Sequence, residues 1–165
     1  MKRFLTVFLA VIVAAAALTG VCAAAGSLKP ENGEIAYMRM AGIEGMARDA
    51  AHERWMEVID YALDCVPGED GTQQIRSVTF THPVEPATTK IIDAYMKGRV
   101  IYDAELHVCV RACGAQHLIL DVLLQKARID KTEVIVLADG TVAETVTLTA
   151  ENITRTEFPF DPFAA

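Results

Sequence analysis

The residues able to do chemistry are few, and their spacing excludes most of it. Histidines stand at 52, 82, 107 and 117, and cysteines at 22, 65, 109 and 113. No His-x-x-x-His or Cys-x-x-Cys pair occurs, so the common metal-ligand spacings are missing. His107 and Cys109 fall on one face of an alternating stretch and suggest a nucleophile pair. Two residues along a strand leave them about 6–7 Å apart, too far for direct proton transfer. Gly42-Ile43-Glu44-Gly45 lacks the Gly-Lys-Ser/Thr ending of a phosphate loop. Glu44 and Asp49 are too isolated to work as a carboxylate pair, and Asp49 and Asp60 read as solvated. His52 reads as a loop anchor and Trp55 as a core aromatic. The expectation is no catalytic residue, no metal and no cofactor.

The elements that would position these residues are mostly strands. Residues 75–110 form the organising stretch. Val78 and Phe80 alternate with Ser77, Thr79 and Thr81, the period of a half-buried strand. His82-Pro83 and Glu85-Pro86 are expected to stop it. Thr88 is expected to cap a short helix over about 89–97, with Ile91, Ile92, Tyr95 and Met96 as its apolar stripe and Gly98 as the left-handed residue after it. Such a helix is too short to stand alone and must pack on the strands. Ala104, Leu106, Val108 and Val110 alternate with Glu105, His107, Cys109 and Arg111, the cleanest strand pattern in the chain. Residues 112–116 read as a turn centred on Gly114. The run 118–124 reads as a strand covered on both sides or bent by a bulge. Val134 to Leu137, Asp139-Gly140 and Val142 to Thr149 give a hairpin signal. Earlier in the chain, Ile35 to Met40 alternates as a strand, with Gly42 and Gly45 bending the backbone after it. Residues 46–53 tolerate a helix by propensity, and over 55–63 periodicity leaves strand and helix both open. Pro67 to Gly71 is a surface loop by turn chemistry.

Length and charge bound the rest. The chain has 165 residues, one domain's worth. Residues 1–25 read as a secretory signal: Lys2-Arg3, an uncharged run from Phe4 to Val21, and Ala23-Ala24-Ala25 as a small-x-small cleavage site before Gly26. An uncleaved anchor is the rival, since the uncharged run is nearly long enough to span a bilayer. A lipoprotein signal fits less well, because Val21 stands where a small residue belongs before Cys22. The expected location is therefore periplasmic or secreted. Without Lys2 and Arg3 the remainder carries 13 basic against 22 acidic residues, formally −9, which argues against nonspecific nucleic-acid binding. Residues 26–34 read as a flexible lead-in, 35–158 as the domain and 159–165 as a tail. Cys65, Cys109 and Cys113 remain after cleavage, enough for one disulfide and an odd thiol. Along one extended strand Cys109 and Cys113 would lie about 13 Å apart, so only a turn could pair them; small buried apolar residues are the alternative reading.

Taken together, several stretches resemble the haemolysin-coregulated protein (Hcp) family, the tube protein of bacterial type VI secretion. The family's Lys-Pro-x-Asp-x-Ala-Ser-Pro-x-Leu, short helix and Gly-x-x-Ile are met here by His82-Pro83, Glu85, Ala87-Thr88, Ile91, Gly98 and Ile101. Its Tyr-x-x-x-x-Gly-Ile-x-Gly, Asp/His loop and Gly-Trp-Ile-x-Val are met by Tyr37, Gly42-Ile43-Glu44-Gly45, Asp49, His52 and Trp55-Met56-Glu57-Val58. The resemblance therefore favours a strand over 55–63. Arg54 replaces the glycine before the tryptophan, and a positive φ at that point would strain it. In the last strand Val146, Leu148 and Ile153 match, while Ala150 and Arg155 replace two aromatics. The resemblance spans about 35–157. It implies a mainly β fold, two antiparallel sheets in a partly open barrel with one short flanking helix. It also implies a structural subunit of a homohexameric ring that stacks into a tube, with small effector proteins in the lumen and type VI tip or sheath proteins as partners. Gly42, Gly45, His52, Trp55, Thr88 and Gly98 are the candidate structural and assembly residues. Family tubes leave the cytoplasm without a cleaved signal, so the leader raises an alternative: an exported, stand-alone ring or binding domain.

Overall fold

The computed structural model describes residues 33–68, 72–112 and 114–160. Residues 1–32, which take in the expected leader and most of the expected lead-in, residues 69–71, Cys113 and residues 161–165 lie outside them. Eight strands and one helix succeed one another: β1 Glu34–Met40, β2 Met56–Val58, β3 Asp60–Pro67, β4 Gln73–Pro83, α1 Pro86–Met96, β5 Ile101–Ala112, β6 Ala115–Val136, β7 Val142–Thr149 and β8 Asn152–Glu157. All pairings are antiparallel. They run β2-β1-β5-β6-β7-β4-β3, with β8 also on β6. The first sheet is β2-β1-β5-β6-β8 and the second β6-β7-β4-β3, so the two share β6. Together they make the expected partly open barrel, not a closed one.

Alternation decides what each strand buries. Met38, Met40, Met56, Phe80, Leu106, Val122, Leu124, Val146 and Leu148 point inward and are almost fully buried. Removing such side chains from water drives the collapse at roughly 25 cal/mol per Å² of apolar surface. The stretch over 55–63 is two strands, broken at Ile59, whose N–H donates to the Thr81 carbonyl at 2.7 Å. That break passes the chain from the first sheet to the second.

Three expectations are corrected. Residues 46–53 form no helix; they fold as a loop with turns over 50–54. The helix of residues 86–96 begins three residues earlier than expected, with Glu85 as N-cap and Thr88 as its third residue. The reason is Pro86: at the first helical position its fixed φ fits and its missing N–H is no loss. Thr88 Oγ1 instead accepts from the Glu85 N–H at 3.3 Å. His82-Pro83 also remain within β4. The helix ends as expected: Gly98 has φ +57, its N–H donates to the Tyr95 carbonyl at 3.0 Å, and Arg99 N–H donates to the Ala94 carbonyl at 2.9 Å, a Schellman ending. Ala87, Ile91 and Ala94 are its buried face.

A charged pair is sealed between α1 and the second sheet. His82 on β4 and Glu144 on β7 are fully buried, and His82 Nε2 donates to Glu144 Oε2 at 3.0 Å. Thr132 Oγ1 donates to the other Glu144 oxygen, and Glu85 Oε1 lies 3.6 Å from His82 Nδ1. Burial alone would push the imidazolium down, but Glu144 and Glu85 outweigh it and raise the His82 pKa above its ordinary 6.5. Burial would raise Glu144, yet hydrogen bonds from His82, Thr132 and Thr88 hold it below its ordinary 4.5. The raised histidine gives stability that is full below 6.5 and lost as pH climbs through its folded value. The lowered glutamate gives stability that is full above 4.5 and lost as pH falls through its folded value. Urea midpoints measured against pH should therefore hold a plateau from about 4.5 to 6.5. His82→Gln should remove the decline on the alkaline side, and Glu144→Gln the decline on the acid side.

Arg54 has the positive φ that its place before Trp55 suggested, at +65°. A left-handed residue with a side chain costs about 1–2 kcal/mol. Its ion pair with Glu44, 3.2 Å long and exposed, offsets little of that. Arg54→Gly and Arg54→Ala both lose the pair, but only glycine relieves the backbone. Urea denaturation should show the glycine variant more stable than the alanine variant by about 1 kcal/mol.

Candidate functional site

The candidate residues gather in two places. Gly42, Gly45, His52 and Trp55 belong to the loop between β1 and β2, while Thr88 and Gly98 mark the two ends of α1. The places are neighbours, since a Cβ on Gly42 would sit 4.0 Å from the Arg99 guanidinium. Gly45 holds the loop closed: its N–H donates to the Arg54 carbonyl at 2.8 Å, and Ala47 N–H donates to the Trp55 carbonyl at 2.8 Å. A Cβ on Gly45 would stand 2.4 Å from the Trp55 carbonyl oxygen, so nothing larger fits that approach.

This loop lies over the outer face of the first sheet, and there the polar residues converge. Pleating sends Ala36, Met38, Ala104, Leu106 and Val108 inward and Tyr37, Arg39, Glu105, His107 and Cys109 outward. Tyr37 faces His107 across β1 and β5, Arg39 faces Glu105, and His107 faces Asp121 across β5 and β6. His52 is buried from above. Its ring stacks on Tyr37 at 4.1 Å between centroids and meets Trp55 edge-on at 4.9 Å. Trp55 is not an inner-core aromatic: it is half-buried outside the barrel, 4.6 Å from the His107 ring and beneath the Arg39 guanidinium at 5.6 Å.

A chain of hydrogen bonds links the loop to the sheet. His52 Nδ1 lies 2.7 Å from Asp49 Oδ2, His52 Nε2 lies 3.0 Å from His107 Nδ1, and His107 Nε2 lies 3.1 Å from Glu105 Oε1. Arg39 Nε and Nη2 both donate to Glu105 Oε2, at 3.0 and 2.6 Å. The bond from His52 holds the Asp49 carboxyl below its usual range. Burial works against the Glu105 carboxylate, but Arg39 and His107 keep its pKa low. Burial and the neighbouring Glu105 charge push Asp121 up.

The arrangement is poor for catalysis by covalent attack. The Cys109 thiol is buried and free, and burial pushes its pKa up, so little thiolate is available. Asp49, read as solvated, is instead the acceptor that orients His52. Reading the sequence missed Asp121 altogether. Its only signal was its place in the apolar run 118–124, where a lone acid between Leu120 and Val122 marks the outward face. Cys65 is disulfide-bonded, and its partner lies outside the described residues. Phe160 in the tail packs on the His117 ring at 4.7 Å.

Comparison with known proteins agrees with this architecture. The fold is similar to that of Hcp1 from Salmonella typhimurium, with 16% identity, a TM-score of 0.66, and 77% of this chain and 87% of that one covered. It is similar to a solved type six secretion system protein, at 19% identity and a TM-score of 0.68 over 77% and 85% of the two chains. The secreted protein Hcp3 from Pseudomonas aeruginosa matches at 15% identity and a TM-score of 0.55, over 77% and 99%. No curated protein matches the sequence. The family model described as "Type VI secretion system effector, Hcp" matches residues 37–156. That match runs from within β1 to within β8, and the chain belongs to the Hcp family.

Proposed function

We propose that the protein is a structural subunit of a homohexameric ring, working as a tube or effector-carrier component of a type VI secretion apparatus. Its function is assembly rather than bond chemistry. Family membership across residues 37–156 is the observation that carries this reading. The surface supports it. A head-to-tail ring needs two different, complementary patches on each copy. Exposed apolar residues follow where α1 ends, Tyr95 and Met96 in its last turn and Tyr102 at the start of β5. A second set stands where α1 begins, formed by Val84 with Val134, Val136 and Val142 of the β6–β7 hairpin, joined by the Val84 N–H to the Val142 carbonyl. The eleven-residue helix holds the two about 16 Å apart. Among the described residues β2, β3 and β8 each pair with one strand, and such sheet edges are the kind of surface that a neighbouring copy covers.

Native mass spectrometry should give six copies. Val136→Asp or Tyr102→Asp should shift the population to smaller species with an unchanged circular dichroism spectrum. A monomer that persists at high concentration would overturn the ring.

A second reading, an exported stand-alone ring, is favoured by two features of this chain: the leader over 1–25 and the disulfide at Cys65, a bond that persists in oxidising compartments. The protein recovered from cells should begin at Gly26 and show one free thiol per chain after unfolding without reductant. An intact Met1, with every cysteine reduced, in the cytoplasmic fraction would reject export and leave the apparatus reading standing.

A further inference from the structure

The polar cluster on the outer face of the first sheet takes no part in the assembly reading. Glu105, His107 and Asp121 each place one ligand atom within 4.8 Å of the other two. The pleat brings them there: Glu105 and His107 are two apart on β5, and Asp121 is directly opposite His107 on β6. His107 Nε2 is 3.1 Å from the Glu105 oxygen and 3.8 Å from the Asp121 oxygen. Ligand atoms bonded to one zinc at about 2.0–2.2 Å in a tetrahedron stand roughly 3.4 Å apart, so the three need move only slightly.

Three further observations favour a cation. Asp121 Oδ1 is buried and accepts no hydrogen bond, so nothing in the protein replaces the water this acceptor has lost. Arg39 places both its bonds on Glu105 Oε2, leaving Oε1 facing His107 and Asp121. The third is formal charge: Asp49, Glu105 and Asp121 bring three negative charges to this face against the one positive charge of Arg39, a deficit that a dication fills. A cation on His107 Nε2 would leave His107 Nδ1–H to donate to His52 Nε2 and His52 Nδ1–H to donate to Asp49, which is how metal-bound histidines are commonly oriented.

We propose that Glu105, His107 and Asp121 bind one first-row transition-metal dication, with zinc as its representative, and that His52 and Asp49 position the histidine. The imidazole ligand favours zinc over magnesium or calcium, and three protein ligands leave a position for water. The ion ties β5 to β6 and, through His52, fastens the loop over both.

The test uses the mature protein stripped with chelator and titrated with zinc chloride by calorimetry, with cobalt(II) as a visible-absorption probe. One ion per chain is expected, together with a rise in melting temperature and no displacement by excess magnesium or calcium. His107→Gln and Asp121→Asn should each weaken binding by tenfold or more, and Asp49→Asn by about 10–100-fold. His117→Gln, at a histidine outside the cluster, should leave it unchanged. Asp121→Asn exchanges one atom and removes a charge, so it decides the matter if His107→Gln fails to fold. Absence of binding at millimolar zinc, or wild-type affinity in Asp121→Asn, would overturn the site.

Discussion

One strand serving two sheets is the constraint on which the architecture rests. The first half of β6 pairs with β5 on one side and β8 on the other, and its second half pairs with β7. A flat 22-residue strand would extend far beyond either neighbour. The bend comes at Lys126, where φ is +53, with a register shift between Ile129 and Lys131 just beyond it. That local cost, carried by a residue other than glycine, turns the strand from one sheet to the other and lets their inner faces meet. Lys126 Nζ donates to Glu151 Oε2 at 2.7 Å, and Glu151 N–H donates to the Gln125 carbonyl at 3.2 Å. The corner is thus fastened to the start of β8. Helix α1 packs against this same strand and closes the side of the barrel.

Much of this was legible because strand faces write themselves at period two. Residues 104–111 and 77–81 alternate cleanly enough for the two faces of each strand to be named from the sequence. The misses have physical causes. Helix α1 starts at Pro86 because a proline that ends a strand is also suited to begin a helix, and local pattern cannot separate those roles. The loop over 46–53 has helix-forming residues, but Gly45 pressed against the Trp55 carbonyl and the hydrogen bonds that close its ends decide otherwise. Tertiary closure overrides propensity there. The strain at Arg54 was legible only through the family pattern, because no propensity scale marks one arginine as left-handed.

The outer polar cluster was hidden for another reason. Spacing searches find ligands that are neighbours along one element, whereas a cross-strand site divides its residues between two. Glu105-x-His107 is visible on one strand, but Asp121 joins it only through the β5–β6 register. That register is fixed by a hairpin and a bulge between Val108 and Cys109. Shifting it by one residue would turn Asp121 toward Leu106 and bury an acid in the core. The apolar partners of the inner face therefore hold the polar ones of the outer face in place, without touching them.

The two sheets use their outer faces differently, and the difference comes from what covers them. On the second sheet the residues opposite one another are threonines: Thr79 with Thr147 at 3.0 Å and Thr81 with Thr145 at 2.9 Å. Hydroxyls satisfy each other across strands and need no lid. On the first sheet the loop between β1 and β2 lies over the strands, and His52 is sealed beneath it at 4% exposure. Charged groups there lose part of their water, so each must find a counter-charge or a hydrogen bond. Asp49, Glu105 and Arg39 do so within the protein. Asp121 Oδ1 accepts no hydrogen bond and has only the His107 ring, 3.8 Å away, beside it. A buried acceptor without a hydrogen bond, standing beside a histidine and a second carboxylate, is a place where a small positive charge fits.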